Sequence, residues 1–296
     1  MPNRLAKAAL VLVGVTVLAV GAAEMAGAAS LPVPAPTTQA AASPVGPMIR
    51  SNGEENLPVH GGSVSSSNWS GYAVTPSTGN ITGVTSTFTV PTAGLILPGF
   101  SASWAGIGGY SSSDLIQAGI AEDSIPTNPL LGDQYYAWYE LLPGAEVQLT
   151  DCTGDSSCAV SPGDVVSVDI FQTATDVWSI DISDSGRWSW TATDVAYTST
   201  YSSAEWILEA PQIDGLPSLI AGDGMASFGP TSTYTVDSGA PQTIASGDPT
   251  QIDLTTPEVP TVNLATPSAL APDDQSFNVC VYAESCATPL GQPLIG

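Results

Sequence analysis

Residues 203–209 read Ser203-Ala204-Glu205-Trp206-Ile207-Leu208-Glu209. Side chains of an extended strand point alternately to its two faces. One face of this run therefore carries Ser203, Glu205, Ile207 and Glu209, and the other Ala204, Trp206 and Leu208. The run Tyr135-Tyr136-Ala137-Trp138-Tyr139-Glu140 divides the same way, setting Tyr136, Trp138 and Glu140 against Tyr135, Ala137 and Tyr139. Each strand thus places a carboxylate among bulky apolar side chains. Working outward, alternating or β-branched runs recur over 70–74, 84–90, 101–107, 115–120, 135–141, 146–149, 165–171, 177–183, 188–192, 203–209, 225–228 and 234–236. Turn clusters punctuate them, among them Pro76-Ser77-Thr78-Gly79, Gly108-Gly109, Pro143-Gly144, Ser161-Pro162-Gly163-Asp164 and Asp184-Ser185-Gly186. Strands spaced by roughly 8–15 residues, with no 3.6-period run of helix length, predict an all-β fold, an antiparallel sandwich or barrel. The 29 Gly and 25 Pro agree, being many breakers for a helical chain.

Four Lys and Arg stand against 28 Asp and Glu in 296 residues, a formal net charge of -24. That balance excludes binding nucleic acid or an anionic membrane through a basic face. Arg4 and Lys7 lie at the extreme N-terminus and Arg50 in a linker-like stretch, so Arg187 is the only cation after residue 50. Such a chain repels itself at neutral pH and loses that repulsion as its carboxylates protonate, which suits it to acid.

The first 28 residues carry Arg4 and Lys7, an apolar run from Ala8 to Ala23, and Ala26-Gly27-Ala28 as a small-x-small cleavage site. This is a secretory signal pattern, and the apolar run falls short of the ~20 residues that span a bilayer. The expected location is secreted and extracellular, with no membrane attachment after cleavage. Residues 29–62 are rich in Pro, Ala and Thr without a period, and read as a linker or pro-segment. Residues 63–296 are expected to form one β-sandwich catalytic domain, a monomer. Cys152 and Cys158, and Cys280 and Cys286, each flank a short polar turn, so local disulfides are expected, although four cysteines allow three connectivities.

Elimination narrows the chemistry. His60, the one histidine, sits in the linker, and no Lys follows residue 7. Ser-His-Asp, Cys-His, Schiff-base and His-ligated metal chemistry are therefore unavailable to the domain. No metal and no cofactor are expected. Carboxylates, amides, Tyr and Trp remain. They allow a paired-carboxylate glycosidase, or a water-activating carboxylate with an uncharged donor for an oxyanion.

Five blocks in order carry a resemblance: Asn68-Trp69-Ser70-Gly71-Tyr72-Ala73-Val74, Trp104-Ala105-Gly106-Ile107-Gly108-Gly109, Leu115-Ile116-Gln117-Ala118-Gly119-Ile120, Tyr136-Ala137-Trp138-Tyr139-Glu140 and Ala204-Glu205-Trp206-Ile207-Leu208-Glu209. Together they resemble the glutamic peptidases, or eqolisins. The resemblance implies a sandwich of two antiparallel sheets of the concanavalin-like jelly-roll kind, and an acid endopeptidase insensitive to pepstatin that acts on polypeptide substrates. It also implies a catalytic Gln and Glu on adjacent strands of the concave sheet, which carry over to Gln117 and Glu205. Trp69, Trp104 and Glu140 match positions lining the substrate cleft. Glu205 would activate water as general base and then act as acid, while Gln117 stabilises the oxyanion. At an unperturbed pKa near 4.3 Glu205 would be mostly protonated at pH 3, so the reading calls for a lowered pKa or for action nearer pH 4. One departure stands out: fungal members carry a longer, basic pro-segment, whereas residues 29–60 hold a single Arg, which argues against inhibition by charge pairing. Two other classes fit an aromatic, acidic sandwich face, namely a glycoside hydrolase using Glu140 and Glu205 and a non-catalytic carbohydrate-binding module. Asn68-Trp69-Ser70 and Asn80-Ile81-Thr82 fit glycosylation sequons.

Overall fold

The computed structural model describes residues 48–49, 57–60, 63–94, 99–125, 132–213, 216–222, 224–256 and 260–290. The signal expected at 1–28 and most of 29–62 lie outside these residues. Fifteen strands matter here: β1 (Ser63–Ser66), β2 (Trp69–Val74), β3 (Ile81–Thr89), β4 (Gly99–Gly108), β5 (Leu115–Ile125), β6 (Gly132–Leu141), β7 (Val165–Ala174), β8 (Val177–Asp184), β9 (Trp188–Ala196), β10 (Ala204–Glu209), β11 (Met225–Phe228), β12 (Thr233–Val236), β13 (Thr250–Thr255), β14 (Asn263–Pro267) and β15 (Phe277–Val281).

The first sheet runs β1-β13-β2-β10-β4-β5-β6, antiparallel except that β13 lies parallel to β1. In the second, β9-β8-β7-β3 are neighbours, and β3 pairs beyond with β12 and with β11. From β11 the ladder continues through β15 and β14 to β13, so the two sheets join along one side.

Between the sheets lies the main core, and the alternation explains it. The inward members of β2, β5 and β10 (Tyr72, Val74, Ile116, Ile120, Trp206, Leu208) meet those of β3, β7 and β8 (Val84, Phe88, Val168, Ile170, Ile180, Ile182). The Trp206 indole N–H donates to the Thr85 carbonyl across the layers at 2.7 Å. Tyr72 packs edge-on against Phe277, with ring centroids 4.8 Å apart. Both local disulfides, Cys152–Cys158 and Cys280–Cys286, are formed.

Pairing begins before Ser63. Within the stretch read as aperiodic, Leu57–His60 pairs with β1, and Met48–Ile49 pairs antiparallel with Gln212–Ile213 just past β10. Segments of two to four residues are too short to show a period, which is why the sequence conceals them.

Candidate active site

The outer face of the first sheet, turned away from the main core, carries a second apolar cluster that includes Trp69, Ala73, Ala102, Trp104, Ala121, Tyr136, Trp138 and Ile207. One register line across it joins Ala73, Glu205, Gly106, Gln117 and Glu140 on β2, β10, β4, β5 and β6. Residues on one line share a face, so Glu205, Gln117 and Glu140 point the same way. The adjacent strands implied for the Gln and Glu need correction. β4 lies between β5 and β10, and at about 4.8 Å per strand the two backbones stand roughly 10 Å apart. Alternation along a strand fixes the face but says nothing about lateral order.

Gly106 occupies the intervening position and contributes no side chain. A Cβ there would lie 3.0 Å from the Ile116 carbonyl oxygen, from Leu115 and from Trp104, so the position between the Glu and the Gln is closely packed and leaves no room for a side chain of its own. The next line places Gly71, Ile207, Trp104, Gly119 and Trp138, and the one after it Trp69, Glu209, Ala102, Ala121 and Tyr136. Gly71, at φ +148°, lets β2 approach β10 so closely that a Cβ would fall 2.1 Å from the Trp206 carbonyl oxygen. Small residues thus alternate with Trp on this face.

Glu205, Gln117, Glu140 and Glu209 are all fully buried. The Gln117 amide donates from Nε2 to Glu140 Oε2 at 2.6 Å. Gln117 Oε1 and both Glu205 oxygens take no hydrogen bond of ordinary geometry from any described residue. Burial raises the Glu205 carboxyl well above its usual range, and Asp114 adds to the rise. The Ser203 hydroxyl and the Tyr110 backbone N–H lie near enough to pull the other way without offsetting it. Of the two options, a lowered pKa or action nearer pH 4, the fold does not produce the first, because desolvation disfavours the charged form and no cation among the described residues offsets it.

Trp69 and Trp104 meet edge-on with centroids 4.9 Å apart, on the same face as the Glu and the Gln. Glu140 is brought to Gln117 directly, a closer role than cleft lining. One functional contact went unread in the sequence: Glu209 accepts from the Trp104 indole N–H at 2.9 Å and from Asn68 Nδ2 at 3.5 Å. Its place on the face with Glu205 and Ile207 was the available signal. Asn68 is itself buried, so the first sequon is inaccessible in the folded chain, whereas Asn80 is exposed.

A carboxyl and an amide on one buried face supply a proton-transfer group and a neutral hydrogen-bond donor, the minimum for hydrolysis without a histidine. Known proteins offer matching features. The model of the peptidase A4 family matches residues 67–266, more than half of the chain. Among solved structures, scytalido-glutamic peptidase with a transition-state analogue inhibitor superposes with a TM-score of 0.56 at 17% identity, covering 73% of this chain and 98% of that one. SCP-B, described as a member of the eqolisin family and solved with the tripeptide Ala-Ile-His, gives 0.52 at 17% identity with the same coverages. At these identities the likeness establishes the shared fold. No curated protein matches the chain in sequence.

Proposed function

The chain belongs to the peptidase A4 family and is a glutamic peptidase, and we propose that it is a secreted, monomeric, pepstatin-insensitive acid endopeptidase of polypeptides, with Glu205 and Gln117 as its catalytic pair. The observation that carries this reading is the single register line on which Glu205 and Gln117 share one face on either side of the side-chain-free Gly106.

A scissile peptide laid across the sheet over Gly106 would set its carbonyl between the two. The Glu205 carboxylate takes a proton from water, the water oxygen bonds to the carbonyl carbon, and the proton passes to the leaving nitrogen as the C–N bond breaks. One Gln117 amide hydrogen is held by Glu140, and the other is left for the developing oxyanion, with Oε1 available to orient the water. An amide does not titrate in acid, so this donor persists where an imidazole base would be charged.

The raised Glu205 pKa fits a precursor. Burial is its main cause, so wetting the face lowers it and frees the carboxylate form. Ile213 packs against the apolar cluster of this face, and its strand is the partner of Met48–Ile49. That pairing supports a role for 29–62 as a pro-segment held by backbone hydrogen bonds rather than by charge.

The glycosidase alternative is less well supported. Glu140 and Glu205 stand three strand steps apart, about 14 Å along the sheet, beyond the roughly 6.5–9.5 Å of an inverting carboxyl pair. The deciding assay incubates acid-treated protein with a denatured polypeptide at pH 2–5 in the presence of pepstatin, beside a panel of polysaccharides. Peptide cleavage alone is expected. Sugar release without proteolysis would overturn the reading.

A further inference from the structure

Gln117 and Glu205 do not sit on neighbouring strands, so no backbone ladder between β5 and β10 fixes their separation. The ends of those strands are tied together by another route, over the end of β4. Asp114, the residue before β5, accepts from the Thr200 backbone N–H at 2.7 Å and from the hydroxyls of Thr200 at 2.9 Å and Ser199 at 3.1 Å. Both partners belong to the connection that leads into β10. From the same connection the Tyr197 hydroxyl reaches the other strand pair, accepting from the Leu115 N–H at 2.6 Å and donating to the Leu142 carbonyl at 3.0 Å.

The position of that hydroxyl is informative. Leu142 N–H donates to the Leu115 carbonyl at 3.0 Å, so the ladder of β5 and β6 continues on one side. On the other side the tyrosine oxygen takes the place of a direct Leu115–Leu142 bond. Leu115 lies two residues before Gln117, and Leu142 two residues after Glu140, its hydrogen-bond partner. β4 is caught in the same tie, because the Gly108 N–H donates to the Ser203 carbonyl at 3.0 Å, two residues before Glu205. The anchors thus fall within a few residues of each member of the pair.

We propose that Asp114 and Tyr197 are positioning residues that set the separation and orientation of Gln117 and Glu205; the inference rests on these two being the catalytic pair. The protonation states of the clamp suit an acid enzyme. Burial pushes the Asp114 carboxyl up, but the bonds from Thr200, Ser112 and Ser199 outweigh it and hold the group below the usual carboxylate range. It therefore stays ionised further into acid than a free aspartate. Burial pushes the Tyr197 hydroxyl up to about 12, so its proton stays available for Leu142.

The test uses acid-activated enzyme and a peptide substrate. Asp114→Ala and Tyr197→Phe should each lower kcat by roughly 10- to 100-fold with KM unchanged, since a misplacement on the order of 1 Å costs up to about 10²-fold. Asp114→Asn, which keeps acceptor oxygen for Thr200 and Ser199, should recover part of the loss. Asp155→Ala, which removes bonds to Ser157 in a surface turn, should leave kcat as it was. The separating readout is a double-mutant cycle. In a Gln117→Ala background, Tyr197→Phe should change the residual rate by less than about twofold, because the separation it sets is that between Glu205 and an amide that is gone. Losses that multiply in the double variant would assign Tyr197 a purely structural role and overturn the proposal. Wild-type kcat in Tyr197→Phe would do the same, and that variant removes a single oxygen, so it carries the test where Asp114→Ala fails to fold. Full activity in Gln117→Ala or Glu205→Gln would instead sink the catalytic pair itself.

Discussion

The outer faces of the two sheets carry acidic residues in the same alternating pattern and put them in opposite circumstances. On the first sheet, Glu205, Glu140 and Glu209 lie fully buried among Trp69, Trp104, Trp138 and Ile207, each on its own strand position and without a neighbouring acid directly opposite. On the second, Asp169 and Asp181 are half-buried and stand directly opposite each other across β7 and β8, in a row completed by Thr85 and Thr191. Burial is the leading cause of the raised pKa in both places, yet Asp169 owes part of its rise, to about 6, to the facing Asp181. The difference teaches how to tell the two apart. A buried acid that shares a register line with an amide across a glycine, with no acid directly opposite it, is arranged for chemistry, while an acid opposed by a like acid among hydroxyls is a pH-responsive surface.

Packing offers the sharpest way to break the comparison. Gly71→Ala would force a methyl against the Trp206 carbonyl in a conformation that L side chains rarely adopt. It should lower unfolding stability by about 3 kcal/mol in urea titrations. Loss of a buried polar partner comes next: Trp104→Phe keeps an aromatic ring of smaller size but removes the indole N–H that serves Glu209. The expected cost is about 1–3 kcal/mol by the same measurement, the penalty of a buried acceptor losing its shorter hydrogen bond. No loss would mean that this face is wetter than its burial implies.

The smallest effect belongs to the second sheet. Asp169 has a folded pKa of about 6 against a reference of 3.8, so the folded state holds the proton more tightly. Its stabilising contribution is present below about pH 4 and is lost as pH rises through about 6. Asp169→Asn should therefore raise the midpoint of thermal unfolding at pH 7–8, by about 1 kcal/mol in stability, and leave it unchanged at pH 3. Arg187, the one cation after residue 50, pairs with Asp164 and Asp184 and does not reach this pair. A gain at pH 3 equal to that at pH 7 would show that repulsion is not the cause.

Each of the twelve runs with alternation or β-branching is a strand, with ends displaced by up to a few residues, as at Ile81 and Ile125. Hydrophobic patterning specifies them locally. The strands that the sequence concealed are β1, β13, β14 and β15. Ser63-Val64-Ser65-Ser66 has one large apolar side chain, and Thr250-Gln251-Ile252-Asp253-Leu254-Thr255 has two, so their pairing is set by neighbours distant in the chain. For the site, the facing of Glu205, Ile207 and Glu209 was readable from period 2, and so was that of Tyr136, Trp138 and Glu140. The insertion of β4 between the strands of Gln117 and Glu205 was not, since lateral order depends on long-range pairing. Nor was the upward shift of Glu205, which follows from burial that only the assembled face creates.

The most direct test measures kcat/KM of Glu205→Gln against the wild type at pH 4, on one peptide, after acid activation and with folding checked by thermal unfolding. A loss on the order of 10²–10⁴-fold with an unchanged fold is predicted for removal of the group that moves the proton. Activity within tenfold of the wild type would contradict it.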